Sequence, residues 1–247
     1  MIVKSINRVF DPIVQTPYKN LLVSGCSFTY NNSSKHIVTW PYYLRDLANF
    51  EQVIDCSQSG AGNSHIFNSI VNEIETNKNI NPTNTLIIIM LSGFSRTDVI
   101  ASVDFSNQWH GPDSFKFNDK FATLSIMSNP ADPNEPNIVE LCKKYKRVVD
   151  IDAQVLESCF RVLALDGYLK SKGFNYMLTS WKDIRNECID SNLIDSIRKV
   201  LHPIRCLGDY ANQSNQLEPD GHPSPDAHLH WTKDYLIPYL TANFNTI

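Results

Sequence analysis

Short, unbroken apolar runs alternate along this chain with longer stretches of helical periodicity, the pattern of buried strands connected by amphipathic helices. Residues 20–25 (Asn-Leu-Leu-Val-Ser-Gly) predict a buried parallel strand that ends in a tight turn. Thr39-Trp40-Pro41 then puts a capping hydroxyl before a proline, so a helix is expected to run on to Phe50. Residues 52–56 predict a second strand. Gly60-Ala61-Gly62-Asn63 opens a helix whose inner face carries Ile66, Ile70, Val71 and Ile74. The third strand is expected at residues 85–91, ending at Ser92-Gly93.

Residues from about 101 to 147 break this rhythm, with Pro112, Pro130, Pro133 and Pro136 among aromatics such as Phe105, Trp109, Phe115, Phe117 and Phe121. They read as an insertion in a single domain spanning 1–247, with a hairpin expected at residues 117–127. Their aromatics suit core filling better than a substrate groove. A long helix follows with Ile151, Val155, Cys159, Val162, Leu165 and Leu169 on one face and Gly173 as its stop. Residues 174–179 predict a fourth strand and residues 184–201 a further helix. Ser224-Pro225 caps a last helix expected to reach about Tyr235, where Pro238 limits it. The whole is an α/β pattern, in which turns after the strands are the places for a site.

Composition narrows the function. The chain has 247 residues, 42% of them hydrophobic, and a formal charge of −4, with Lys and Arg scattered. That gives no basic footprint for nucleic acid. The longest apolar run, residues 86–91, is far below the ~20 residues of a membrane span. No secretory signal is visible at the start, so a cytoplasmic location is expected. The six cysteines are widely spaced without a Cys-x-x-Cys pair, arguing for reduced thiols over a zinc knuckle or a disulfide framework.

Two segments could carry chemistry. Gly25-Cys26-Ser27-Phe28-Thr29 puts a serine just past the first strand, where backbone amides can face a developing oxyanion. Asp220-Gly221-His222-Pro223-Ser224-Pro225 sets an acid and a histidine in a loop stiffened by two prolines, which fixes where the imidazole points. A metal pair is the alternative for the second segment: Asp220, His222, Asp226, His228 and His230 crowd together, and Asp226 and His230 lie four apart on a helix. Cys26 is an alternative nucleophile. Arg96 and Asp98 read as an ion pair or a polar-substrate contact, and Trp181 as a sugar-stacking or rim residue.

Together with Gly60 and the Ser92-Gly93-Phe94-Ser95-Arg96 turn, these segments resemble the SGNH (GDSL-like) hydrolases in order and spacing over nearly the whole chain. The resemblance implies a three-layer α/β/α sandwich with a mostly parallel, flavodoxin-like sheet. It implies Ser27 as nucleophile, with Cys26 where the family has Asp, and His222 as general base with Asp220 behind it. Asp220 precedes His222 by two positions, where the family has three. Gly60 matches the glycine of the oxyanion hole. The family's oxyanion asparagine is replaced by Ser95, with Asn63 and Arg96 as other candidate donors. The implied activity is ester hydrolysis without metal or organic cofactor, on a small-molecule or carbohydrate ester such as an O-acetyl sugar. A non-enzymatic binding module on the same fold is the rival reading. The Gly-x-Ser-x-Gly elbow of α/β-hydrolases is missing around Ser27.

Overall fold

The computed structural model describes residues 10–31, 38–94, 96–100, 121–125, 144, 147, 150–184 and 191–244. Strands β1 (Asn20–Gly25), β2 (Gln52–Asp55), β3 (Thr85–Leu91) and β6 (Asn175–Ser180) form a parallel sheet in the order β2-β1-β3-β6. Every residue of β1 and β3 is buried. Central strands covered on both faces have no use for alternation, which is why both are nearly continuous apolar runs.

Helices α1 (Trp40–Leu47) and α2 (Asn63–Thr76) both pack on β1. Helix α2 continues into a layer with α3 (Ile151–Ser171) and α4 (Ser191–Val200), while α1 joins α6 (Pro225–Trp231), which also touches α5 (Leu207–Gln213). The sheet thus lies between two helical layers, an α/β/α architecture. Ile66, Ile70, Val155, Cys159, Val162, Leu165 and Leu169 are buried as their spacing predicts, each contributing about 1.5–3 kcal/mol if fully removed from water. No described helix is long and apolar enough to cross a membrane.

Several expectations are corrected. Thr39 precedes α1 but its side chain does not cap it; its hydroxyl donates to the Thr29 carbonyl at 2.7 Å. The hairpin expected within residues 117–127 is instead a pairing of β5 (Phe121–Ser125) with the distant β4 (Arg96–Ile100), antiparallel. Residues 101–120 and 126–143 of the expected insertion lie outside the described residues. Helix α4 is described over Ser191–Val200, and residues 185–190 of the expected helix lie outside the described residues. The last helix does not stop before Pro238: α6 passes through a π turn (Thr232–Leu236) into α7 (Ile237–Phe244). The wider turn changes the hydrogen-bond register just before Pro238, so the proline enters as the second residue of α7, where a missing N–H is tolerated. Helix α5 has no counterpart among the sequence expectations.

Strand β1 is followed in space by β2 on one side and β3 on the other. In open parallel sheets the crevice at such a switch point, at the carboxyl ends of the strands, is where ligands bind.

Candidate active site

Ser27 leaves β1 on a tight turn in which the Cys26 carbonyl accepts from the backbone N–H groups of Thr29 (2.9 Å) and Tyr30 (3.0 Å). Gly25 is sterically required here: a Cβ at this position would lie 2.8 Å from the Thr29 Cβ and 3.0 Å from the Met90 carbonyl oxygen. The turn sends Cys26 into the core, fully buried, and leaves Ser27 partly exposed. The thiol is a packing group, which removes it as the alternative nucleophile.

His222 arrives from the far end of the chain on a small hairpin. Pro219-Asp220-Gly221 is its turn: Gly221 N–H donates to Glu218 O at 2.8 Å, Glu218 N–H to His222 O at 2.7 Å, and Leu217 bridges Pro223. Gly221 takes φ +82°, the left-handed conformation that closes such a three-residue loop and that a side chain would resist. Directly after it, Ser224 accepts from Ala227 N–H at 3.2 Å and starts α6 with Pro225. Held between a hairpin and a capped helix, His222 has its Nε2 2.8 Å from Ser27 Oγ.

Asp220 Oδ1 is 3.1 Å from His222 Nδ1, within ion-pair distance of the ring. That ring nitrogen nevertheless has no aligned hydrogen-bond partner. The same Oδ1 accepts the His222 backbone N–H, also at 3.1 Å, because an acid two residues before a turn exit folds back on the chain. The acid supplies charge beside the ring, while the directional hydrogen bond goes to the backbone.

The loop after β2 is docked against β1 by Cys56 N–H to Val23 O (2.8 Å) and Gln58 N–H to Gly25 O (3.0 Å). It carries Gly60, exposed and at φ +79°. Among the described residues, neither the Ser27 nor the Gly60 backbone N–H has a protein acceptor.

The side chains of Asn63 and Arg96 both make hydrogen bonds within the protein. The buried Asn63 carboxamide clamps Ser92 at the end of β3: Nδ2 donates to Ser92 O (3.2 Å), and Oδ1 accepts from Ser92 N–H (3.0 Å) and its hydroxyl (3.3 Å). Arg96 Nη1 donates to the Ala61 carbonyl at 3.3 Å. Both tie the Gly60 loop to the end of β3. Ser95 and the Asp98 side chain lie outside the described residues.

The histidines proposed as a metal cluster turn to separate partners. His222 meets Ser27, His228 Nδ1 accepts the Trp40 backbone N–H at 3.3 Å, and His230 Nδ1 is 3.5 Å from Gln216 Nε2. His228 is buried, and desolvation, aided by the proximity of His222, pushes its pKa down to about 3. It is a neutral imidazole that caps α1, a role its spacing in sequence did not signal. A second titratable group, the partly buried Asp55 at the end of β2, is raised to about 6 by desolvation, opposed by its acceptance of the Ser57 N–H and hydroxyl.

Sequence reasoning also missed the neighbours of His222. Phe28 packs on the imidazole with ring centroids 5.3 Å apart, and Trp181, just past β6, packs on Phe28 at 4.6 Å.

No protein-family model matches the chain, and no curated protein does. Solved structures similar to it include TesA, 14% identical with a TM-score of 0.48 over 90% of this chain and 98% of that one. Another is the psychrotrophic esterase EstA from Pseudoalteromonas sp., 13% identical with a TM-score of 0.49 over 90% and 99%.

Proposed function

We propose that the protein is a serine ester hydrolase of SGNH type. The observation that carries this reading is the 2.8 Å contact between Ser27 Oγ and His222 Nε2, two groups 195 residues apart that meet at the switch point of a parallel sheet. A serine hydroxyl is a poor nucleophile until a base within hydrogen-bond reach removes its proton.

In the proposed cycle His222 Nε2 takes the Ser27 proton as Oγ attacks the ester carbonyl. The tetrahedral oxyanion is held by the Ser27 and Gly60 N–H groups, with the Ser95 hydroxyl as the third donor. His222 then gives its proton to the departing alcohol, leaving an acyl-serine. Water, deprotonated by the same imidazole, releases the acid and restores Ser27. Asp220 stabilises the imidazolium through its charge. Every step is made by side chains and amides of this chain. The substrate class we propose is small acyl groups on polar carriers, such as O-acetyl groups of carbohydrates, because no greasy lid-like segment is recognisable in the sequence.

The test is turnover of a p-nitrophenyl ester series, acetyl to octanoyl, by wild type, Ser27→Ala and His222→Ala. Acetyl ester hydrolysis that both variants lose supports the reading. Faster turnover of long-chain esters removes the small-acyl assignment. An inert wild type favours a binding module on the hydrolase fold.

A further inference from the structure

His222 Nδ1 has no aligned hydrogen-bond partner, so something other than Asp220 must set the angle of the imidazole. Among the described residues, the ring packed on the imidazole is that of Phe28. Phe28 is buried and lies against His222 at a centroid distance of 5.3 Å, tilted by 41°. Behind Phe28 stands Trp181, at 4.6 Å and 36°, with the Lys182 ammonium 5.2 Å from its ring centre.

Trp181 is itself firmly seated. Its N–H donates to the Leu91 carbonyl at 3.3 Å, and its carbonyl accepts from Gly208 N–H at 2.7 Å. Position 208 has no room for a side chain: a Cβ would lie 2.7 Å from the Trp181 oxygen, 2.9 Å from its Cε3 and 3.4 Å from Phe28 Cε1. The indole Nε1 is buried and has no acceptor among the described residues, so the ring serves through its faces and not through its N–H. One rigid path therefore runs from the ends of β3 and β6 through Trp181 and Phe28 to the imidazole.

We infer that Trp181 is a positioning residue which, acting through Phe28, holds His222 in line with Ser27, and that Asp220 contributes charge more than direction. The inference rests on the serine hydrolase reading for its consequence in rate, but its geometric content stands apart from activity. It also withdraws Trp181 from the stacking role, since Phe28 and Lys182 already engage its ring.

Two measurements on Trp181→Ala, Trp181→Phe and Asp220→Asn decide it. Crystal structures are expected to show the Ser27–His222 hydrogen bond lost in Trp181→Ala and kept in Trp181→Phe and Asp220→Asn. Ester kinetics are expected to show kcat reduced about 100-fold in Trp181→Ala with KM unchanged, because a base misplaced by about 1 Å costs that much. Trp181→Phe restores kcat to within about threefold, an aromatic face being all the position requires. A Trp181→Ala structure that keeps the 2.8 Å contact overturns the inference whether or not the protein hydrolyses esters. So does an Asp220→Asn structure in which the Ser27–His222 hydrogen bond is lost. If Ser27→Ala retains wild-type turnover, the hydrolase reading fails instead, and the crystal structures alone judge the positioning.

Discussion

The backbone N–H of Trp40, the first residue of α1, donates to Nδ1 of His228 at 3.3 Å across 188 positions of sequence. An imidazole that accepts at the positive end of a helix must be neutral, since a protonated Nδ1 would set N–H against N–H. The folded pKa of about 3 lies below the ordinary 6.5, so the unfolded chain binds the proton more readily. Stability from this contact is complete above about pH 6.5 and declines as pH falls toward 3. His228→Gln, which keeps an acceptor and cannot charge, is expected to lose less stability than wild type between about pH 8 and about pH 5 in urea unfolding. Equal losses would contradict the capping role.

Gly25→Ala forces a methyl group against Thr29 and the Met90 carbonyl. Overpacking of this kind costs about 1–3 kcal/mol. The accompanying shift of the Ser27 turn should depress turnover further than the change in folded fraction, measured by calorimetry beside kinetics.

Asn63→Ala separates a clamp from an oxyanion donor. As a clamp, its removal leaves the buried Ser92 N–H unsatisfied, at a cost of about 1–3 kcal/mol visible in the unfolding midpoint. As a donor to the oxyanion, it would cut kcat by about 100-fold or more at unchanged stability. The first outcome is expected.

Gly208→Ala is predicted to displace Trp181 without touching the site directly, because the new methyl would sit 2.7 Å from the Trp181 carbonyl. Lower kcat in protein shown to be folded is the expected result. Wild-type kcat would mean that the aromatic path does not reach His222.

The central strands were legible because β1 and β3 are covered on both sides and spell out their burial residue by residue. The meeting of Ser27 with His222 was legible for a different reason: Gly25 leaves room for the tight turn before Ser27, while Pro223 and Pro225 restrict the chain after His222. The rest was hidden by long-range choices. Asn63 can point its amide at a substrate or at Ser92, and nothing within its own loop says which. His228 finds its partner on a helix 188 residues earlier. The same holds for β5, which pairs with β4 across residues that carry no periodic signal, and for Pro238, whose passage into α7 depends on a π turn that its local sequence does not announce.

The central claim is that Ser27 is a nucleophile activated by His222. Treating the protein with a fluorophosphonate and mapping the adduct by mass spectrometry tests it without knowledge of the natural ester, since Ser27 Oγ would displace fluoride and form a stable bond to phosphorus. The account predicts a single adduct on the peptide containing Ser27, absent in Ser27→Ala and much slower in His222→Ala. No adduct on Ser27, or labelling unchanged by loss of His222, would contradict it.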